Sequence, residues 1–438
     1  MKMSHLFDQQ LDDSECAGDR TTAVEAGLVV IGAGQAALQL ASSLRERGYA
    51  SPITLVGSEQ HKPYQRPPLS KAILKGSAAP DTLEFRNAEF YSNSKIDLVL
   101  GERVNDVVMA PDRSGIVVCD TGRELHFSRL ALCTGATPRR LTVEGFESTG
   151  VLYLRDLDDA LSLRHRLSEV TDVVVVGGGF IGLEVAAVAR GQGKAVSIVE
   201  AGSKLMGRAV GDETANFFRM AHESMGSAVR LNSGVQRIVA DESGAATSVE
   251  LSDGTVIPCQ LVLVGVGALP QQALAEGIGL KCANGVVVDE FSVTSDGRTV
   301  AVGDCASLPN PTLGVGSSTV RLRLESVDNA VEQARSAAST IMGHLEPYRS
   351  VPWFWSDQGT YKLQIAGLSQ GHDSVVVREY VDPTKRSVLY YREGRLIAAD
   401  AINAPADFMM VKKALSESVS FDPASAKDST VSLKSLFG

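Results

Sequence analysis

The stretch Thr171–Glu200, TDVVVVGGGFIGLEVAAVARGQGKAVSIVE, decides the fold. An apolar run, Val173–Val176, leads into Gly177, Gly179 and Gly182. Apolar residues at helical spacing follow at Ile181, Val185, Ala186 and Ala189, and a second apolar run, Val196–Val199, ends on Glu200. The pattern predicts strand, tight turn, helix and strand. Gly177 permits the turn, Gly179 lets the backbone approach a pyrophosphate, and Gly182 lets the helix lie close on the strand. The helix start, at Phe180 and Ile181, offers free N–H groups to phosphate. An acid about 20 positions after the turn, here Glu200, suits ribose hydroxyls.

Working outward, LVVIGAGQAALQLASSLRERG from Leu28 repeats the unit, with a strand at Leu28–Ile31, turn glycines Gly32 and Gly34, and Ala37 in place of a third glycine. Alanine is accepted at that packing position. A second strand, Ile53–Val56, is followed by Gly57, Ser58 and Glu59, so the ribose acid arrives slightly late. Two such units in one chain predict two nucleotides held together, and the usual arrangement is a bound flavin with a diffusible nicotinamide. A duplicated scaffold with one inactive site is the alternative.

Composition sets the bounds. With 438 residues and 44% hydrophobic content, the chain suits two or three packed domains of a soluble protein. Its longest apolar runs fall short of a membrane span, and Met1–Gly27 lacks the apolar core of a signal peptide, which predicts a cytoplasmic protein. A net charge of −10 argues against nonspecific nucleic-acid binding. The six cysteines, Cys16, Cys119, Cys133, Cys259, Cys282 and Cys305, form no CxxC pair, so neither metal-ligand spacing nor a local dithiol is present.

Residues 1–26 lack apolar periodicity and predict a flexible extension. In HKPYQRPPLSKAILKG, residues 61–76, Pro67 and Pro68 are expected to hold the backbone extended while Ser70 caps a helix from Lys71. A cation from this loop suits a flavin, and equally suits a solvated surface turn. The strand Leu130–Cys133 ends on Thr134 and Gly135, and Leu261–Val264 ends on Gly265, Val266 and Gly267. Asp304 follows an apolar strand, where open α/β sheets bind ligands. Residues 321–343 predict an amphipathic helix. Strands at Leu363–Ile365, Ser374–Glu379, Ser387–Tyr391 and Leu396–Ala401, with a helix near Pro405–Ser416, predict a small α+β domain opened by Trp353 and Trp355.

The motifs YQRPPLSK (64–71), TGATPR (134–139), GGGFIGLE (177–184), TVAVGDCA (299–306), RLESV (323–327), PWFWSDQ (352–358), LQIAGL (363–368) and ADFM (406–409) occur in one order. In these the chain resembles the FAD-dependent, nicotinamide-dependent ferredoxin reductases that supply oxygenases, of the putidaredoxin-reductase and aromatic-ring-dioxygenase types. The resemblance implies an α/β architecture like that of glutathione reductase, with two Rossmann-like dinucleotide-binding domains plus a C-terminal α+β domain. The FAD domain would comprise residues 27–137 and 270–345, the NAD domain 138–269, and the C-terminal domain 346–438. It further implies that Gly32, Gly34, Ala37, Glu59, Arg66, Val104, Thr134, Gly135, Asp304, Glu325, Trp353 and Trp355 hold FAD. Gly177, Gly179, Phe180, Ile181, Gly182, Glu200, Arg208 and Gly267 would hold NAD. Lys71 would lie near the flavin N5, paired with Glu184, as the catalytic pair. Asp328, Glu332 and Gln271 depart from the family's usual residues.

The activity so implied is hydride transfer from NADH to FAD, then single electrons to a [2Fe–2S] ferredoxin. Glu200 favours NADH, while Lys204 and Arg208 leave NADPH open. Arg321, Arg323, Lys362, Lys412 and Lys413 are the candidates for docking an acidic ferredoxin. A disulfide reductase is excluded because residues 60–80 contain no cysteine. An NADH oxidase and an NADH-responsive flavin-binding interaction protein remain as alternatives.

Overall fold

A computed structural model describes residues 26–310 and 320–437. The N-terminal stretch expected to form an extension, and Cys16 within it, lie outside the described residues apart from Ala26.

The first glycine-rich unit forms strand β1 (Gly27–Ile31), helix α1 (Gln35–Glu46) and strand β2 (Ile53–Gly57). β1 is central in its sheet, parallel to β2 on one side and to β3 (Glu124–Leu132) on the other. The short strand Val300–Ala301 joins β3 in parallel and carries the chain back into this sheet from far downstream. Successive side chains of a strand face opposite sides, so a strand buried on both faces is apolar throughout. Leu28 and Val30 accordingly pack under α1 and the helix Val327–Ile341, and Val29 and Ile31 pack on the opposite face. Small residues, Ala37 and Ala41 on one helix and Ala334, Ala337 and Ala338 on the other, let those helices lie close.

The second unit repeats the plan with β4 (Asp172–Val176), α2 (Phe180–Gly191) and β5 (Ala195–Val199). Its sheet is wholly parallel, with β4 between β5 and β6 (Leu261–Val264). Helix α3 (Asp212–Ser224) follows β5. The C-terminal segment is a five-stranded antiparallel sheet that includes β7 (Trp353–Gln358), β8 (Tyr361–Gly367), β9 (Arg386–Arg392) and β10 (Arg395–Ile402), with α4 (Pro405–Ser416) packed on it. The fold class expected from the sequence is therefore present.

One apolar cluster joins parts distant in the chain. Leu69, Ile73 and Leu74 of the proline loop, Leu183 and Val185 of α2, Phe218 of α3, and Leu363, Ile365 and Ile402 of the C-terminal sheet share it. The proline loop differs from expectation. Pro67 and Pro68 open a tight 3₁₀ turn, Pro67–Ser70, because the fixed proline φ suits the first turn of a helix. Ser70 caps nothing, since its hydroxyl is turned to Glu184.

The second unit is also latched to the C-terminal sheet through a buried acid. The Gly211 N–H at the start of α3 donates to the Tyr390 hydroxyl at 3.0 Å, which donates to the fully buried Asp400 at 2.5 Å. Burial pushes the Asp400 carboxyl up to about 6. The folded protein therefore holds a proton there that the unfolded chain has released. This contribution to stability is present below about pH 4, shrinks as pH rises to about 6, and then stays lost, a change on the order of 3 kcal/mol. Asp400→Asn is expected to remove that dependence. Chemical denaturation of both proteins between pH 4 and 7 should show wild type losing ground to the variant as pH rises.

Candidate functional site

Both glycine-rich helices start without a cap. Gly34 before α1 and Gly179 before α2 offer no side chain to the helix N–H groups, and neither first turn holds an acid. A helix start leaves four N–H donors without intrahelical partners, and a bare start of this kind suits an anion. A Cβ on Gly34 would meet nothing within 4 Å. Gly32 instead has φ +118°, and a Cβ there would lie 2.1 Å from the Cys133 carbonyl oxygen. Gly177 at φ +103° is pressed in the same way against the Gly265 carbonyl, at 2.4 Å. Gly182 leaves room for only 2.6 Å between a Cβ and the Gly177 oxygen, whereas Ala37 carries its methyl fully buried.

Around the first start, Glu59 accepts from Tyr64 at 2.6 Å and from Arg66. Arg66 also donates to the Arg155 carbonyl at 2.7 Å. Val104 lies three residues beyond Gly101, whose N–H bonds the Glu59 carbonyl. Thr134 donates to the Gln271 carbonyl at 2.6 Å, and Gly135 turns with φ +69°. Asp304 pairs with Arg155 at 3.1 Å, keeping a partly buried carboxylate near the end of β3. Glu325 pairs with Arg323.

Lys71 of the proline loop and Glu184 of the second glycine-rich unit meet at 2.7 Å although they are far apart in the chain. Glu184, in the first half of α2, is 4% exposed, and Lys71 is 18% exposed. The lysine also donates to the Pro67 carbonyl at 3.1 Å. Glu184 accepts further from Ser70 at 2.5 Å and from Ser356 at 2.7 Å. A cleft of about 910 Å³ opens beside the lysine, lined among others by Gln35, Pro67, Pro68, Lys75, Trp355 and Lys362.

At the second helix start, Glu200 accepts from the N–H groups of Gly178 and Gly202, each at 2.7 Å, which fixes its carboxylate at the end of β5. Arg208 lies against Gly267, where a Cβ would come within 2.9 Å of its guanidinium. Lys204 is taken up by Asp212 at 2.7 Å. Ile181 is exposed, and Phe180 packs against Phe354 with ring centroids 4.6 Å apart.

Trp353 and Trp355 occupy the same face of β7 and stack with centroids 5.4 Å apart. Lys412 lies over the Trp353 ring at 4.6 Å, and Asp328 accepts from the same indole. Burial is the main influence on Asp328 and raises its carboxyl. Lys413 pairs loosely with Glu417 at 3.8 Å and lies over Phe437. Two expected docking cations are committed elsewhere. Arg321 donates to the Val288 and Ser307 carbonyls, and Arg323 is 10% exposed and held by Glu325 and the Asp304 carbonyl. Neither stands on a free rim, because backbone oxygens beside their own strand take the guanidinium donors.

Two regions of the chain match family models. Residues 26–334 match the pyridine nucleotide-disulphide oxidoreductases, and residues 353–437 match the reductase C-terminal family. The chain belongs to the pyridine nucleotide-disulphide oxidoreductase family. It is 41% identical to rhodocoxin reductase of Rhodococcus erythropolis, over 93% of both chains. It is 34% identical to putidaredoxin reductase of Pseudomonas putida, over 93% of this chain and 96% of that one. The crystal structure of the ferredoxin reductase for the CYP199A2 system of Rhodopseudomonas palustris is 39% identical and superposes with a TM-score of 0.89, covering 94% of this chain and all of that one. The reductase in a covalent putidaredoxin reductase–putidaredoxin complex gives 0.88 at 34% identity, covering 94% and 98%.

Members of this family are oxidoreductases that use FAD and NAD(H), and the residues present fit both cofactors: two bare helix starts, two glycine cradles, and an acid at the end of each second strand. Among the described residues, the cysteines offer no exposed, activated thiol. Cys119, Cys133, Cys259 and Cys305 are buried free thiols, Cys282 is half-buried, and burial raises the thiol pKa of all five.

Sequence reasoning missed Ser356, Gln358 and Arg155. The first two alternate with the tryptophans along PWFWSDQ, a period-two signal for a strand with a polar inner face. Arg155 carries no local signal, since its partner is 149 positions away. The two glycines separate fold from ligand. Gly32→Ala is expected to cost the FAD-free protein about 1–3 kcal/mol through strain. Gly34→Ala is expected to leave its melting temperature within about 2 °C while weakening FAD retention. Melting curves with and without FAD, with flavin absorbance after gel filtration, check both.

Proposed function

We propose that this chain is an FAD-dependent NADH:ferredoxin reductase whose [2Fe–2S] acceptor feeds an oxygenase of the Rieske or cytochrome P450 kind, in the cytoplasm. The observation that carries this reading is the Lys71–Glu184 pair, formed between the two nucleotide units beside the cleft. No helix among the described residues is long and apolar enough to cross a membrane.

In this reading residues 27–137 and 270–345 hold FAD, residues 138–269 hold NADH, and residues 346–438 cover the flavin. The α1 start, with Gly32, Gly34 and Ala37, would bind the FAD pyrophosphate, with Glu59, Arg66 and Val104 toward the adenosine. Thr134, Gly135, Asp304 and Glu325 would hold the remainder of the chain, and Trp353 and Trp355 would border the ring. The α2 start, with Gly177, Gly179, Phe180, Ile181 and Gly182, would bind NADH together with Glu200, Arg208 and Gly267. FAD held by these residues would supply two-electron uptake and one-electron release, which would match a nicotinamide donor to an iron–sulfur acceptor.

The protein's own part is placement. Glu184 and the Pro67 carbonyl fix the Lys71 ammonium, so a positive charge is ready before reaction and needs no reorganisation. The Glu200 carboxylate would repel a 2′-phosphate, and Asp212 engages Lys204, one of the two cations close to it in sequence, which favours NADH. Lys362 in the cleft wall and Lys412 over Trp353 leave positive charge beside the aromatic pair despite the net charge of −10, and such a rim steers an acidic partner. Lys413 lies on the same helix as Lys412 and would extend that rim.

NADH added without oxygen should bleach the flavin spectrum, and oxidised [2Fe–2S] ferredoxin should restore it faster than air does. Recovery that is fast only in air would assign an oxidase, and absence of a flavin spectrum would assign neither. Lys362→Glu and Lys412→Glu are each expected to slow ferredoxin-driven recovery about tenfold at low salt, with the effect fading as salt screens the charge. NADH bleaching should be unchanged in both, as stopped-flow absorbance would record.

A further inference from the structure

The Glu184 carboxylate is held by more than its lysine. Strand β7 has two faces, and the residues opposite the tryptophans, Phe354, Ser356 and Gln358, point inward to α2 and α3. Ser356, Gln358 and His222 of α3 are each fully buried. Ser356 Oγ lies 2.7 Å from Glu184 Oε1, Gln358 Nε2 lies 3.2 Å from Ser356 Oγ, and His222 Nε2 lies 2.9 Å from Gln358 Oε1.

The donors in this chain can run in only one direction. An ionised carboxylate only accepts, so the Ser356 hydroxyl must donate to Glu184. The serine oxygen is then free to accept from the Gln358 amide, whose other N–H faces Met206 Sδ at 3.5 Å. That leaves the Gln358 oxygen toward His222, which must donate from Nε2. The ring is neutral, because burial lowers its pKa and Nδ1 has no partner to receive a second proton. Every dipole in the series points its positive end at Glu184. Ser70 and Lys71 approach from the other side, on Oε2.

We propose that Ser356, Gln358 and His222 are positioning residues, a one-way hydrogen-bond chain that fixes the Glu184 carboxylate and, through it, the Lys71 ammonium. The inference rests on reading that pair as the reacting centre. It makes the C-terminal strand and α3 part of the machinery although neither donates to Lys71. Ser356→Ala removes the donor to Oε1 and lets the carboxylate turn. Gln358→Met keeps the volume, deletes the link, and leaves the histidine donor without an acceptor.

Two readouts test this on the FAD-loaded, full-length protein. In stopped-flow reduction by NADH, Ser356→Ala and Gln358→Met are each expected to lower the limiting rate about tenfold while the half-saturating NADH concentration stays within about twofold. A role confined to packing would instead show as lost flavin or lowered melting temperature with an unchanged limiting rate. Nitrogen NMR of histidine-labelled protein, which has seven histidines, reads the chain without turnover. His222 should carry its proton on Nε2, and Glu184→Ala and Ser356→Ala should each shift that resonance. A proton on Nδ1, or a resonance unmoved by both changes, overturns the proposal. So does a normal limiting rate in Ser356→Ala when Lys71→Met slows reduction. If Lys71→Met leaves reduction unchanged, the reading of the reacting centre fails, and the NMR shifts still decide whether the chain exists.

Discussion

A carboxylate removed from water dictates much of this molecule. An ion buried as deeply as Glu184 is costly unless its oxygens are paired and hydrogen-bonded. Its donors come from the proline loop and from the first strand of the C-terminal sheet, while Glu184 itself sits on a helix of the second glycine-rich unit. None of these segments is a neighbour of another in sequence. They meet because one apolar cluster binds all three, so the packing of Leu69, Leu183 and Leu363 sets the geometry of the charge.

A common plan governs the two uncapped helix starts. Each places a bare glycine before a helix and a compressed glycine in the preceding turn, so the backbone is exposed to a ligand on one side and sealed on the other. What distinguishes the halves is the surrounding charge. Glu59 is paired with Arg66 and accepts from the Tyr64 hydroxyl, whereas both Glu200 oxygens accept from backbone N–H groups. The first arrangement is a half-buried ion pair, and the second sets a carboxylate on backbone N–H groups at the end of β5.

Local chemistry was readable from sequence, and long-range commitments were not. Both strand–turn–helix units, with Gly32, Gly177 and Gly182 at their tight points, follow from spacing alone, because the constraints act within a few residues. The pairing of Lys71 with Glu184 rested on resemblance, and the geometry supports it. Where the reading failed, a distant group had taken over a local role. Ser70 was expected to cap its own helix and turns to a carboxylate 114 positions away. Arg321 and Arg323 look like surface cations in a string and are consumed by backbone oxygens that no pattern announces. Pro67 and Pro68 begin a helical turn, since the fixed proline φ suits a first turn as well as an extended segment, and Leu69 in that turn is buried.

The double-faced strand Trp353–Gln358 also bears on how such proteins diversify. The segment between the two strands of the thin ribbon formed by Ala136–Pro138 and Ala268–Pro270 looks like an interchangeable cassette. In this chain the cassette carries Glu184, His222 and Gly211, and all three are answered by the C-terminal sheet, through Ser356, Gln358 and Tyr390. Recombination at the ribbon alone would strand buried polar groups on both sides of the new junction. Exchange of the cassette would therefore keep these buried contacts only where the C-terminal sheet came with it.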